Sequence, residues 1–309
     1  NPEDGQVWYN STTGNLRVKG VAIAAFASAA ALPTGTSTYN RAGTMTAGLF
    51  AGGNTSTGFS TATYEWNGSG WTSGGAIGTA LYSNTGFGTQ TAGASAAGRP
   101  TNGSSGDTNA TFEYDGSSWT SVNAANLAAR TRQSFGIQTA AAMVGGFSQS
   151  GGSYTNATEE YDGTNWTTVT VMPAATASAN AIGTQTAAIV SLGGAPTVAT
   201  TYVAYDGTNW TSSPSANIAR ARSAAGGTGA TSTAGLVIGG TPYNPSVVAE
   251  TWDGTSWANS ASITTARYGA GVSDGNTNGI IAGGRTAPGF ETAVEEFTVV
   301  TTARNITTS

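Results

Sequence analysis

Short apolar runs recur along this chain, and most of them close on two glycines. They read Leu49-Phe50-Ala51-Gly52-Gly53, Met143-Val144-Gly145-Gly146, Ile189-Val190-Ser191-Leu192-Gly193-Gly194, Leu236-Val237-Ile238-Gly239-Gly240 and Ile280-Ile281-Ala282-Gly283-Gly284, with Ala97-Gly98 filling the slot in the second copy. Apolar runs this short, bounded by turn residues, are strands buried on both faces rather than helices. A second pattern follows each run: an aromatic, a tight polar turn and a Trp. It appears as Trp66-Asn-Gly-Ser-Gly-Trp71, Tyr114-Asp-Gly-Ser-Ser-Trp119, Tyr161-Asp-Gly-Thr-Asn-Trp166, Tyr205-Asp-Gly-Thr-Asn-Trp210 and Trp252-Asp-Gly-Thr-Ser-Trp257, with a degraded sixth copy at Val294-Glu-Glu-Phe297. Asp-Gly between two such runs is a strong short-range hairpin signal.

Each unit therefore predicts four short strands. The first carries Arg or small residues, as in Ala129-Arg130-Thr131-Arg132-Gln133. The second ends in the glycine pair, the third ends in the aromatic, and the fourth begins at the Trp. The run Val21 to Leu32 is rich in Ala and helical by propensity, but Phe26-Ala27-Ser28 matches the Trp71-Thr72-Ser73 slot, so a strand is expected there. The Trp residues recur every 44–48 residues or so. Four strands at that period make propeller blades, and a blade cannot bury both of its faces unless neighbours stack on it. Six glycine-pair slots predict six blades, an all-β propeller of four antiparallel strands per blade.

Ring closure has two candidates. Phe26 from the N-terminal side or Asn305-Ile306-Thr307 from the C-terminal tail would supply the sixth fourth strand; Phe26 is favoured, building the last blade from both ends of the chain. Residues 1–20 are then an arm outside a propeller spanning 21–309. The chain opens on Asn1 rather than Met, so it is expected to be the processed or ordered part of a longer protein; no signal peptide and no apolar stretch of membrane-spanning length is read in its residues.

Composition narrows the chemistry. Only 9% of the 309 residues are charged, there is one lysine, Lys19, and Cys and His are absent. Without them there is no disulfide scaffold, no thiolate or imidazole metal ligand, and no His base for a Ser nucleophile. A net charge of −5 with no basic stripe argues against a nucleic-acid partner. No cofactor and no metal are expected. Low charge with 45 Gly would suggest disorder, but 8 Trp, 11 Tyr and 9 Phe at a fixed period argue for a packed core.

The glycine pair after an apolar strand, then Tyr, then Trp, resembles the kelch repeat from about Phe26 to the C-terminus. The Thr-Gln-Thr-Ala strand starts (Thr89 to Ala92, Thr184 to Ala187) and the Tyr-Asp-Gly-Thr-Asn-Trp-Thr turns are similar to kelch-like repeats in structural proteins of marine tailed bacteriophages. The opening Asp4 to Thr12 resembles a short hairpin that precedes such domains in virion proteins. The resemblance implies a non-enzymatic virion component: a fibre, tail or capsid-surface module present in several copies. It would be attached to other virion proteins through residues 1–20, and its loops would contact a host surface glycan or a neighbouring virion protein. The alternative is a secreted or cell-surface bacterial adhesion module of lectin-like character.

Enzymatic readings fare worse. Galactose oxidase, which also has kelch-like repeats, needs His and a Tyr–Cys cross-link. Sialidases place a residue between the Asp and Gly of their Asp boxes, whereas Asp162 and Gly163 are adjacent. Arg130, Arg220 and Arg267 start equivalent first strands near the channel, but recurrence in register with Glu113, Glu160, Glu250 and Glu296 reads as scaffold, through Arg–Glu pairs or Arg-to-carbonyl bonds within the sheet. Asp115, Asp162, Asp206 and Asp253 are turn formers; one carboxylate per turn falls short of a calcium site. A glycan hydrolase would need carboxylates converging within ~10 Å, and no pair in the sequence demands it.

The repeated aromatics Trp71, Trp119, Trp166, Trp210, Trp257, Tyr114, Tyr161 and Tyr205 are expected in the core. The loops between second and third strands vary in length and content, and variable loops on a rigid ring carry binding. They offer Phe59, Arg99, Asp107, Tyr154, Tyr243 and Arg285 as ligand-binding candidates. Asn109-Ala-Thr and Asn156-Ala-Thr are glycosylation sequons, relevant only in a host that glycosylates exported proteins.

Overall fold

The computed structural model describes residues 6–12, 15–19, 23–37, 40–100, 106–192, 195–217, 224–226, 232–241, 245–273, 276–286, 289–300 and 303–306. They form a six-bladed β-propeller of four-stranded antiparallel sheets. Blade I contains Asn40–Thr44, Ala47–Ala51, Thr63–Trp66 and Trp71–Gly74; blade II contains Thr85–Gly88, Gly93–Ala96, Thr111–Tyr114 and Trp119–Val122. Blade III contains Gln133–Ile137, Ala140–Val144, Thr158–Tyr161 and Trp166–Val169; blade IV contains Ala181–Thr184, Ala187–Ser191, Tyr202–Tyr205 and Trp210–Ser213. Blade V contains Ala224–Gly226, Gly235–Ile238, Ala249–Trp252 and Trp257–Asn259. Blade VI takes Gly271–Ser273, Asn278–Ala282 and Val294–Val300 from the C-terminal side and Ile23–Ala29 from the N-terminal side. The first strands lie side by side around the axis, with that of blade VI against that of blade I, so the ring is closed.

The closing strand is thus the one that carries Phe26, which faces Phe297 with ring centroids 5.0 Å apart. The C-terminal tail does something else. Ala303–Ile306 pairs with Asn15–Lys19, which pairs with Val7–Asn10, giving a separate three-stranded sheet built from both ends of the chain. The segment outside the ring therefore includes C-terminal residues as well as the N-terminal hairpin.

The core is a set of layers between blades. Phe87, Ala94 and Ala96 of blade II meet Ala141, Met143 and Tyr161 of blade III; Phe135 and Val144 meet Val190 and Tyr205; Phe50 and Trp66 meet Ile280 and Val294 where the ring closes. Small residues allow this approach. A Cβ on Gly86 would come 1.1 Å from Asn40 Oδ1 and 2.9 Å from the Arg41 backbone nitrogen of the preceding blade. The glycine pair has a double reason. Gly145 and Gly146 have φ of 60° and 111°, the left-handed region that glycine enters freely, and the Gly146 N–H donates at 2.7 Å to Thr176 O at the start of the next blade. The same bond joins Gly53 to Leu81, Gly98 to Ala129, Gly240 to Arg267 and Gly284 to Thr36. Gly193 and Gly194 lie outside the described residues, whereas Gly52, Gly239 and Gly283 repeat the left-handed conformation at φ of 74°, 64° and 59°.

Polar staples reinforce the layers. The Trp indoles reach back one blade: Trp119 Nε1 donates to Thr63 Oγ1 at 2.9 Å, Trp166 to Thr111 Oγ1 at 3.0 Å, and Trp71, Trp210 and Trp257 to the carbonyls of Ala30, Thr170 and Pro214. Trp166 and Trp257 are buried; Trp71, Trp119 and Trp210 are half-buried. The buried Tyr114, Tyr161 and Tyr205 donate their hydroxyls to Glu65, Glu113 and Glu160 of the preceding blade. Burial, and then the adjacent glutamate, push all three phenols well above the usual tyrosine range. Gln90, Gln138 and Gln185, in the first turns of blades II to IV, each donate to two backbone carbonyls of the blade before.

The arginines do not start first strands. Arg130 and Arg132 precede Gln133, and Arg267 precedes Gly271; Arg220 lies outside the described residues. Among the described residues the buried ion pairs are Arg132 with Glu159 and Arg267 with Glu295, not with Glu160 and Glu296. Successive strand residues point to opposite faces, so Glu159 turns to Arg132 while Glu160 turns to Tyr205. Glu250 occupies the position of Glu159, not that of Glu113: its Oε1 accepts the Asn217 N–H at 2.8 Å, as Glu159 Oε2 accepts that of Asn126 at 2.6 Å.

Candidate functional site

The connections between second and third strands and those leading into first strands share one face of the ring, the loop face. There the residue that follows the glycine pair bridges back to the lead-in of its own blade, and the loop returns beside it. Blade I gives the row Ser37, Asn54, Phe59; blade II gives Tyr82, Arg99; blade III gives Arg130, Phe147, Tyr154; blade VI gives Tyr268, Arg285, Phe290. Directly opposed residues in antiparallel pairs put their side chains on the same side, so each row presents its side chains together.

The contacts confirm the grouping. The Arg130 guanidinium lies 4.6 Å from the Phe147 ring centroid, and Phe147 packs edge-on to Tyr154 at 5.2 Å. The Arg285 guanidinium lies 4.9 Å from the Phe290 ring. Phe59 stacks on Tyr82 at 5.1 Å with planes 19° apart, joining the rows of blades I and II. Cation–π contacts of this kind are worth about 0.5–1 kcal/mol where exposed, enough to hold a side chain in place.

The candidates from the sequence are therefore distributed unequally. Phe59, Arg99, Tyr154 and Arg285 all stand in these rows. Tyr154 and Arg285 are exposed, Phe59 and Arg99 half-buried. Asp107 is a latch rather than a free acid: its carboxylate is 1% exposed, accepts from Arg130 at 2.9 Å and takes the Gln149 N–H at 2.8 Å. Tyr243 lies outside the described residues. Sequence reasoning missed Tyr82, Phe147, Tyr268 and Phe290, and took Arg130 as a strand residue. The signal was present in the position immediately after the glycine pair (Asn54, Arg99, Phe147, Arg285), which pairing makes a fixed station of the loop.

The opposite face carries the short turns. Asp115, Asp162, Asp206 and Asp253 are exposed, and each Oδ1 accepts two backbone N–H groups of its own turn. Those hydrogen bonds hold all four carboxyls below the usual range, Asp115 at about 2. In blade I, Asn67 makes the same bonds without a charge. A lowered folded-state pKa stabilises fully above the unfolded carboxylate value near 4 and is lost as pH falls through the folded value. We expect unfolding midpoints in urea to drop between about pH 4 and pH 2, and Asp115→Asn to remove its share of that slope while leaving the midpoint at pH 7 nearly unchanged.

Other carboxylates are also engaged: Glu65, Glu113 and Glu160 by tyrosines, Glu159 and Glu295 by arginines, Glu291 by the Thr286 hydroxyl at 2.8 Å. Among the described residues no three His, Cys, Asp or Glu converge, and no helix is long and apolar enough to cross a membrane. The sequon amides are engaged too: Asn109 Nδ2 donates to Ala125 O at 2.6 Å and Asn156 Nδ2 to Met172 O at 3.0 Å.

No protein-family model matches the chain, and no curated protein matches it. Among solved structures it is similar to one described as the structure of YjhT. The TM-score is 0.69 at 15% sequence identity, over 89% of this chain and 99% of that one. At that identity the likeness concerns the fold.

Proposed function

We propose that this propeller is a non-enzymatic virion protein of a tailed phage, a fibre, tail or capsid-surface module whose loop face contacts a host surface glycan or a neighbouring virion protein. One observation carries the binding role: the rows on blades I, II, III and VI set aromatic rings and guanidinium groups side by side on the loop face. Rings of this kind stack on the apolar faces of sugars, and guanidinium groups donate to their oxygens. The engagement of so many carboxylates in turns and staples favours binding over hydrolysis, which needs an acid and a base free to face a substrate. The placement on a phage particle rests on the likeness of the Tyr-Asp-Gly-Thr-Asn-Trp turns to marine phage repeats. The surface is rich in hydroxyls and amides and needs no redox buffer or metal. The segment outside the ring would be the attachment point.

Cryo-electron microscopy of the native particle tests this. The expected result is several copies on the virion, with the terminal sheet against a neighbouring subunit and the loop face outward. A protein found free of any particle overturns the virion placement and leaves the reading as a secreted or cell-surface adhesion module.

A further inference from the structure

The two faces of the ring differ in charge. The short-turn face bears the exposed Asp115, Asp162, Asp206 and Asp253, one on each of blades II to V. On the loop face Asp107 is neutralised by Arg130, and Glu291 accepts from Thr286 beside Arg285. Arg99 is different. It is half-buried opposite Tyr82, and among the described residues its guanidinium makes no hydrogen bond or ion pair. A chain of net charge −5 thus keeps an uncommitted cation next to a two-ring aromatic stack, on the face away from the four turn aspartates.

We propose that the seam between blades I and II is a subsite for an acidic saccharide. This rests on the reading of the loop face as a glycan-binding surface and names its ligand class. Phe59 and Tyr82 form the platform for the apolar face of a sugar ring, and Arg99 donates to the carboxylate or sulfate ester that the sugar carries. Guanidinium–oxyanion pairing is short, strong and directional. Arg285, over Phe290 on blade VI, is a second cation for a neighbouring unit of the same chain. The aspartate face repels such a polymer, so the field of the disc turns the loop face toward it.

The test is calorimetric titration of the full chain with oligosaccharides of alginate, which carry carboxylates, and of carrageenan, which carry sulfate esters. Neutral dextran and single-stranded DNA of matched length serve as comparisons. Expected is binding of at least one acidic oligosaccharide, and which one binds identifies the anion. Arg99→Gln should weaken it about tenfold or more, the scale of a lost charge-assisted hydrogen bond, and flatten its salt dependence. Tyr82→Ala should weaken it comparably, while Arg99→Gln leaves the melting temperature unchanged. Binding of dextran as tight as that of the acidic chains, or unaffected by Arg99→Gln while Tyr82→Ala abolishes it, overturns the acidic subsite and leaves the glycan-binding face standing. DNA binding as tight as the saccharides shows plain polyanion attraction and overturns the subsite. No binding to any saccharide overturns the subsite and the glycan-binding role together.

Discussion

Glu159→Leu lowers the stability of the propeller by about 3–5 kcal/mol, the cost of leaving one partner of a buried ion pair uncompensated. Arg132 and Glu159 are each 1% exposed. The guanidinium also donates to the carbonyl of Met143 at 3.2 Å, which cannot replace a counter-charge. Burial already pushes its pKa down against the opposing pull of Glu159; without that pull the cation stays in a low-dielectric layer with only carbonyl dipoles around it. For a chain of this size the melting temperature should fall by roughly 5–8 °C. Replacing both residues, Arg132→Met with Glu159→Leu, should recover most of the loss, because paired apolar side chains of similar volume are often neutral in such sites. Recovery stays incomplete because the Asn126 N–H loses its acceptor. Thermal and urea unfolding of the two single variants and the double variant measure this. A single-variant cost under about 1 kcal/mol, or a double-variant cost equal to the sum of the singles, contradicts the ion-pair account.

Removing residues 1–29 costs on the order of 5 kcal/mol, from a lost ladder of cross-strand pairs worth about 0.2–1 kcal/mol each and the contact of Phe26 with Phe297. The ladder runs from Ile23 opposite Val300 to Ala29 opposite Val294. Its loss turns Val294–Val300 into an open edge rich in β-branched residues, which invites pairing between molecules. The expected results are a melting temperature lower by about 8 °C and concentration-dependent association on size exclusion. A peptide spanning residues 21–31, added in trans, should raise the melting temperature with dose, since a ligand that binds only the folded ring stabilises it by mass action. An unchanged melting temperature would show that the ring holds without this strand.

Much of the fold was legible in the sequence because each blade repeats one solution to one packing problem. The glycine pair fixes the left-handed exit from the second strand, the Asp-Gly turns fix the outer hairpin, and Phe26 could be placed by matching its slot. The side-chain partnerships were less legible. Consecutive glutamates such as Glu159 and Glu160 look alike in one dimension, yet a shift of one residue sends a strand side chain to the other face. The choice between Arg132 and Tyr205 as partner was therefore invisible. Asp107, an obvious loop acid in the sequence, became a latch because the chain brought Arg130 and Gln149 to it from the next blade.

The sequence by itself determined the number of blades, the order of strands in each, and the absence of thiol and imidazole chemistry. These follow from local patterns and composition, which need no distant partner. Tertiary structure alone decided that the C-terminal tail joins the N-terminal hairpin, that buried charges pair as Arg132 with Glu159 and Arg267 with Glu295, and that Phe59, Tyr82 and Arg99 meet on one seam. Those outcomes depend on which blade stands next to which. Only closure of the ring fixes that neighbourhood, because blade VI must reach across the whole chain to find its last strand.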